Sequence, residues 1–127
     1  MEFGFAHNQL PGSLELAYLG DAIYELYVRE MLVRKGGHVK ALHKGAISYV
    51  NAHAQALALE KVEPELNEDE LTVVRRARNA KQSPTKNADL AEYHRATAFE
   101  ALIGYLYLTE KRERMERFIR EIIEAEP

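Results

Sequence analysis

Residues 14–34 have the sequence LELAYLGDAIYELYVREMLVR. Apolar side chains recur in this stretch at spacings of three and four residues, which is the periodicity of one face of an α-helix. Ser13 follows the Pro11–Gly12 turn and is a candidate N-cap, and Lys35 is followed by two glycines that favour a helix end. The stretch therefore predicts a first helix over residues 14–34.

The remainder of the chain shows the same helical periodicity and no convincing strand pattern. Four further helices are predicted over residues 39–61, 68–81, 88–109 and 110–125. Asn67 is the expected cap of the third helix, and Ser83 and Pro84 are expected to end it. About five helices without strands predict an all-α single domain over residues 1–127, with its core within residues 13–123.

The composition is that of one globular domain: 127 residues, of which 46% are hydrophobic and 29% are charged. The chain has no Cys, which excludes a disulfide scaffold, a Cys-ligated zinc site, an iron–sulfur cluster and thiol catalysis. No apolar run approaches the roughly 20 residues of a membrane helix, and the first residues lack the pattern of a signal peptide. We therefore expect a cytoplasmic protein without a membrane partner.

The formal net charge is −3, but the charges are unevenly distributed along the chain. Residues 71–88 contain five basic side chains and no acidic one. A local basic patch binds polyanions even on an acidic molecule. A solvated helix face accounts for the same charges equally well, so the charge pattern alone does not separate the two interpretations.

Two carboxylates lie in apolar helical segments without a local cationic partner. Neither Asp21 nor Glu100 has a basic residue three or four positions away, and small residues such as Gly20 and Gly104 flank them. Small residues allow another helix or a ligand to approach closely. Because burying an unpaired carboxylate is costly, a distant cationic side chain, a raised pKa or a metal ion must compensate.

The spacing of these acids in the sequence leaves two interpretations open. If Asp21 and Glu100 meet, they provide the one or two carboxylates that Mg²⁺ takes alongside waters and phosphate oxygens, a site suited to phosphodiester hydrolysis. Alternatively, a buried ion pair with an arginine such as Arg95 or Arg29 neutralises the charge. Spacing alone favours the ion pair, because 79 positions separate the two acids.

Three short motifs carry a resemblance to a known family. Residues 16–22, LAYLGDA, resemble the signature helix of the ribonuclease III family, and residues 99–104, FEALIG, resemble its second acidic motif. Between them, residues 76–81, RARNAK, are similar to a basic segment of the Mini-ribonuclease III subgroup, which has no double-stranded-RNA-binding domain. The chain likewise ends after the fifth predicted helix, and the resemblance extends over about residues 13–123.

The resemblance implies a helical fold, a homodimer and Mg²⁺-dependent cleavage of double-stranded RNA, with Mn²⁺ as a possible substitute. Cleavage in the family proceeds by attack of metal-activated water and leaves 5′-phosphate and 3′-hydroxyl ends. For the subgroup it also implies maturation of bacterial 23S ribosomal RNA. The family's catalytic and metal-binding acids correspond to Asp21 and Glu100 of this chain.

Two positions depart from the fuller pattern of the family. Ribonuclease III has acids four residues before the signature aspartate and three before the second-motif glutamate, where this chain has Ala17 and Thr97. The expected site therefore has two protein carboxylates and more water, and the number of metal ions stays open. Two alternatives also stay open: a catalytically silent domain that binds structured or ribosomal RNA, and a plain helical interaction module.

RNA contact is expected at the end of the third predicted helix and in the loop after it. A-form RNA is recognised mostly by its shape, phosphates and 2′-hydroxyls, which calls for basic and amide side chains. His43 and Lys44 are candidates to extend the patch, and Leu14 and Tyr18 are candidates for a dimer seam. The expected RNA-binding residues are Arg76, Arg78, Asn79, Lys81 and Lys86.

Overall fold

The computed structural model describes residues 9–81 and 89–124, and within them the chain forms six α-helices and no β-strand. The helices are α1 (Ser13–Lys35), α2 (Val39–Tyr49), α3 (Ala52–Val62), α4 (Glu68–Arg78), α5 (Leu90–Leu108) and α6 (Arg112–Glu124). A short 3-10 helix, Glu63–Glu65, joins α3 to α4. The expected all-α fold is confirmed, and no helix in the two described segments is long and apolar enough to cross a membrane.

Helix α5 is the centre of the domain. It packs against α1, α3, α4 and α6, and between Ala96 and Leu106 only Glu100 retains appreciable exposure. The ring of Phe99 meets the ring of Tyr24 from α1 edge to face, with 5.1 Å between their centroids. A helix that is buried on all sides is apolar on all sides, so a carboxylate on it stands out as an exception.

Two glycines bring the backbones of α1 and α5 into direct contact. A Cβ atom on Gly20 would lie 1.7 Å from the carbonyl oxygen of Glu100, and one on Gly104 would lie 2.1 Å from that of Leu16. Any side chain at either position would force the helices apart. The small residues predicted to permit a close approach therefore set the α1–α5 crossing, and this crossing lies beside both acids.

The single helix predicted over residues 39–61 is wrong, because the chain turns between α2 and α3. Asn51 caps α3 by accepting a hydrogen bond from the Ala54 amide at 2.8 Å, and its own amide donates to the Ile47 carbonyl oxygen at 2.8 Å. A side chain that satisfies backbone groups on both sides stabilises the break. The predicted periodicity continues across the break, which is why the pattern does not reveal it.

The predicted caps give one success and one error. Asn67 begins α4 through a reciprocal capping box with Glu70, in which each side chain accepts from the other residue's backbone amide at 2.9 Å. Ser13 is instead the first residue of α1, and Gly12 occupies the cap position without a side-chain hydrogen bond. The predicted break at Ser83 and Pro84 lies outside the described residues.

A buried ion pair joins α4 to α6. The Glu70 carboxylate is fully buried and accepts hydrogen bonds from Arg114 Nε at 2.6 Å and Nη2 at 2.8 Å. Arg114 also donates to the Glu65 carbonyl oxygen at 2.7 Å. Burial alone would raise the pKa of Glu70, but the hydrogen bonds from Arg114 and the Asn67 amide outweigh it and lower that pKa.

Candidate metal centre

The crossing of α1 and α5 brings Asp21 and Glu100 together, although 79 positions separate them in the sequence. Their side chains lie within hydrogen-bonding reach of each other. Asp21 directly follows the contact glycine Gly20, and Glu100 provides the carbonyl oxygen that this glycine faces. The packing that holds the two helices together therefore also positions the two carboxylates.

The two acids share an open cleft of about 380 Å³. Three helices form it: Asp21 comes from α1, Gln55 from α3 and Glu100 from α5. Much of the remaining wall consists of small side chains, including Ala17 and Ala96. Because these side chains are small, they leave space around the carboxylates for ions, water or part of a substrate.

The depth of the two carboxylates in the cleft differs. Glu100 is partly buried, whereas Asp21 is exposed. The expectation that both acids are withdrawn from solvent is therefore wrong for Asp21. Its position lies at the edge of the buried face of α1, which carries Ala17, Gly20 and Tyr24.

The surroundings of Glu100 strongly favour its protonated form. Burial raises the pKa of Glu100 to about 9, with a further contribution from the hydrogen bond and the negative charge of Asp21. A hydrogen bond from Gln55 Nε2 to Glu100 Oε2, at 3.4 Å, acts in the opposite direction. Among the described residues, a neutral amide and a second acid are thus the polar side chains that act on Glu100.

The proposed arginine partners do not pair with the two acids among the described residues. Arg29 donates to Glu25 Oε1 at 2.9 Å on the exposed side of α1. Within residues 9–81 and 89–124, no salt bridge joins Asp21 or Glu100 to a cationic side chain, and Arg95 does not contribute to the pKa of Glu100. The geometry therefore gives no support to the ion-pair interpretation.

The donor set fits a hard divalent cation. Two carboxylates present oxygen atoms of the kind that Mg²⁺ and Mn²⁺ bind, and waters would complete the shell. No cluster of three or more His, Cys, Asp or Glu side chains is found in the described parts of the chain, so a closed all-protein cage has no donors there. A cation beside the pair would offset the repulsion that raises the pKa of Glu100.

The two positions that depart from the fuller family pattern also line this cleft. Ala17 has no oxygen donor in its side chain, and the Thr97 hydroxyl donates to the Tyr93 carbonyl oxygen at 3.1 Å. The cleft thus presents the carboxylates of Asp21 and Glu100, with no acid at positions 17 and 97.

The two arginines of the predicted RNA-binding segment line different grooves. Arg76, Arg78, Asn79 and Lys81 are all exposed, whereas Lys86 lies outside the described residues. Arg76 lines a groove against the start of α1, while Arg78 and Asn79 line another groove together with Glu63. Residues two positions apart on an α-helix point about 200° away from each other around its axis, which explains why Arg76 and Arg78 line different grooves.

Gln55 is the residue of the cleft that the sequence interpretation missed. It lies in AHAQALALEKV, the sequence of α3, where its neighbours on the buried face are alanine, leucine and valine. An uncharged polar residue on an otherwise apolar face was the available signal, because buried amides need a partner. The partner itself lies 45 positions away and has no signature in the local sequence.

Comparison with known proteins identifies the family. The Ribonuclease III domain family matches residues 14–111. The chain is 51% identical over 122 residues to the Mini-ribonuclease 3 of Brevibacillus brevis, covering 92% of this chain and 91% of that protein. It is also 51% identical over 109 residues to the Mini-ribonuclease 3 of Symbiobacterium thermophilum, covering 84% of each.

The fold agrees with these sequence matches. An X-ray crystal structure of a protein from Fusobacterium nucleatum superposes with a TM-score of 0.88 at 36% identity, covering 97% of this chain and 100% of that one. Both the sequence and the fold therefore match over nearly the whole chain. The chain belongs to the ribonuclease III family of endoribonucleases, in the Mini-ribonuclease III group.

Proposed function

We propose that this protein is a metal-dependent endoribonuclease that cleaves double-stranded RNA at the Asp21–Glu100 cleft and leaves 5′-phosphate and 3′-hydroxyl ends. One observation carries the assignment of the site: two adjacent carboxylates share an open cleft, with no cationic side chain paired to either among the described residues. Membership of the family supplies the class of reaction, and this charge arrangement supplies its place in the fold.

The two acids have distinct parts in this proposal. A divalent cation held by Asp21 and Glu100 would supply an activated water nucleophile and would stabilise negative charge on the phosphodiester. Asp21, at the exposed mouth of the cleft, is the first acid to meet an incoming cation, and Glu100 lies deeper. Glu100 must release its proton to bind, so the cation and the proton compete for the same carboxylate.

The basic end of α4 is the proposed RNA contact. Arg76 and Arg78 line different grooves, so we assign them to phosphates at different points along the duplex. Asn79 and Lys81 extend the same end of the helix, and Lys86 follows in sequence. Binding through phosphates weakens steeply with salt, and neutralising Lys81 and Lys86 is expected to reduce that dependence.

An exposed apolar stripe on α1 supports a homodimer. Leu14, Tyr18, Leu26 and Val33 are 38%, 85%, 65% and 64% exposed. At 100° per residue they fall within an arc of about 120° on one side of the helix. Leu14 and Tyr18 also line the carboxylate cleft, so a second copy packed on this stripe would border both sites of the dimer.

The proposed cellular substrate is a precursor of 23S ribosomal RNA in the bacterial cytoplasm. This assignment rests on the Mini-ribonuclease III group as a whole, whereas the cleft itself accounts for phosphodiester cleavage in any RNA duplex that reaches it. The alternative function is binding of structured RNA without cleavage. It is favoured by one observation: Ala17 and Thr97 stand in the cleft where the fuller family pattern has acids.

The experiment that tests the proposal is cleavage of a long RNA duplex at low salt with Mg²⁺, with EDTA as the metal-free arm. The Asp21→Asn and Glu100→Gln variants each replace a carboxyl group by a neutral amide, and circular dichroism checks their folding. Glu25→Gln is the matched control, since Glu25 is an acid one turn from Asp21 that pairs with Arg29.

Cleavage that is lost in EDTA and in both folded cleft variants, but kept in Glu25→Gln, is the expected result. Absence of cleavage by the unmodified protein, with duplex binding retained, would overturn the proposal in favour of the silent RNA-binding domain.

A further inference from the structure

A buried amide contacts the deeper of the two acids. Gln55 on α3 is only 5% exposed, yet it lines the cleft and donates from Nε2 to Glu100 Oε2 at 3.4 Å. Among the described residues, Gln55 and Asp21 are the polar side chains that act on the Glu100 carboxylate. An amide withdrawn from water is costly unless it is hydrogen-bonded, so this contact also accounts for a polar residue at a buried position.

The backbone that carries Gln55 is held in place on both sides. Asn51 caps the start of α3 through a hydrogen bond from the Ala54 amide at 2.8 Å, and α3 packs along α5. Ala56 and Leu59 on the same helix are buried in that packing. A functional side chain on a rigid, packed helix is positioned more accurately than one on a loop.

Once Glu100 has released its proton, the charges in the cleft favour such a contact. Asp21 and Glu100 are like-charged when both are ionised, and their repulsion drives the flexible glutamate side chain away from the aspartate. The N–H of Gln55 holds one oxygen of Glu100 from the opposite helix. Because a carboxylate only accepts, the amide must present its nitrogen to it.

We propose that Gln55 is a positioning residue of the metal centre: its amide holds the Glu100 carboxylate beside Asp21, so that the two acids together receive a divalent cation. This inference rests on the proposed function. In a site with two protein carboxylates, a misplaced Glu100 side chain removes one of the two charged donors. The amide that holds Glu100 in place therefore has a large effect on cation affinity.

The test replaces Gln55 by methionine, which has a similar length and volume but no N–H donor. Lys61→Met is the matched control, because Lys61 lies on the same helix and donates to the Glu121 carbonyl oxygen at 2.9 Å, away from the cleft. Binding of Mn²⁺ is measured by electron paramagnetic resonance without RNA. We expect Gln55→Met to weaken binding about 10-fold, the usual size of an outer-shell effect on metal affinity, and Lys61→Met to leave it unchanged.

Cleavage kinetics give a second readout that a merely structural residue would not move. In Gln55→Met, the Mg²⁺ concentration for half-maximal cleavage rises by a similar factor, whereas the rate at saturating Mg²⁺ returns close to that of the unmodified protein. Cation binding and Mg²⁺ dependence identical to those of the unmodified protein would overturn the inference.

Two further outcomes separate this inference from the function on which it rests. If the unmodified protein binds no Mn²⁺, both are wrong. If Asp21→Asn abolishes Mn²⁺ binding but Gln55→Met leaves it unchanged, the metal centre stands and the role of Gln55 is wrong.

If Gln55→Met does not fold, NMR of the unmodified protein provides the test instead. We expect the side-chain amide protons of Gln55 to exchange slowly with solvent and to shift as Mg²⁺ is added. Rapid exchange with no shift would overturn the inference.

Discussion

Glu70 on α4 and Glu100 on α5 are both withdrawn from solvent, yet their surroundings are opposite. Glu70 is fully buried and receives two hydrogen bonds from Arg114 and one from the Asn67 amide. Glu100 is less buried, faces Asp21 and receives one hydrogen bond from a neutral amide. Consequently the pKa of Glu70 is lowered and that of Glu100 is raised, so burial by itself does not predict the charge state.

The difference separates a structural acid from the proposed functional one. The Glu70–Arg114 pair satisfies its own charge and ties α4 to α6. The Asp21–Glu100 pair has no such compensation within the described residues, and it opens to solvent. A fold retains an unfavourable charge arrangement of this kind where function requires it. The predictions below test whether the two sites divide in this way.

The largest expected effect on stability is at the structural site. Arg114→Met leaves the Glu70 carboxylate buried without its cation, so we expect the free energy of unfolding to fall by about 3–5 kcal/mol. Urea denaturation at pH 7 measures this change. A loss indistinguishable from that of a surface substitution would show that the pair does not stabilise the domain.

At the proposed functional site the effect is expected on activity. Glu100→Gln removes one of two carboxylates proposed to hold the cation, and we expect cleavage to fall by roughly 10²–10³-fold. Initial rates on an RNA duplex at saturating Mg²⁺ measure this loss. A folded variant with near-normal activity would place the cation elsewhere. The same experiment on Glu70→Gln, at a temperature where it remains folded, should leave the chemistry intact.

The two acids also predict opposite dependences of stability on pH. Because the folded pKa of Glu100 is raised to about 9, its contribution is complete at acidic pH and is lost as the pH rises towards 9. Because the folded pKa of Glu70 is lowered, its contribution is present near neutral pH and is lost as the pH falls through that lowered value. The metal-free protein should therefore lose stability both as the pH falls well below neutral and as it rises towards 9.

The alkaline loss can be assigned to Glu100 by substitution. At pH 8 and without metal, Glu100→Gln should be more stable than the unmodified protein by roughly 1–3 kcal/mol, less than the full shift because solvent reaches the site. Excess Mg²⁺ should remove most of the alkaline decline in the unmodified protein. Thermal denaturation over pH 5–9 in EDTA and in Mg²⁺ checks both expectations, and an unchanged profile in Glu100→Gln would contradict them.

Much of the fold follows from local pattern. The first helix was predicted over residues 14–34 and spans Ser13–Lys35, because its apolar spacing is regular and the glycines after it stop it. The Asn67 cap was also predicted correctly. The break at Asn51 was missed, since one side chain with hydrogen bonds on both sides outweighs a continuous periodicity.

The site was less accessible to sequence reasoning. Lack of local cations singled out Asp21 and Glu100, but their adjacency depends on the glycine crossing of two helices. Gln55 and the Glu70–Arg114 pair depend on contacts 45 and 44 positions apart, which no local window contains. A resemblance to a family indicates which distant motifs come together. Which side chains neutralise or hydrogen-bond each acid is visible only in the fold.

The smallest expected effect comes from a second arginine on α6. Arg117 donates to Glu65 Oε1 at 2.8 Å and to Glu121 Oε1 at 3.2 Å, so by contact geometry it resembles Arg114. Its partners remain in solvent, where screening and side-chain entropy cancel most of the attraction between paired charges. We expect the urea midpoint of Arg117→Met to match that of the unmodified protein. A loss comparable to that of Arg114→Met would mean that pairing, rather than burial of the acid, determines how much an ion pair of α6 stabilises the domain.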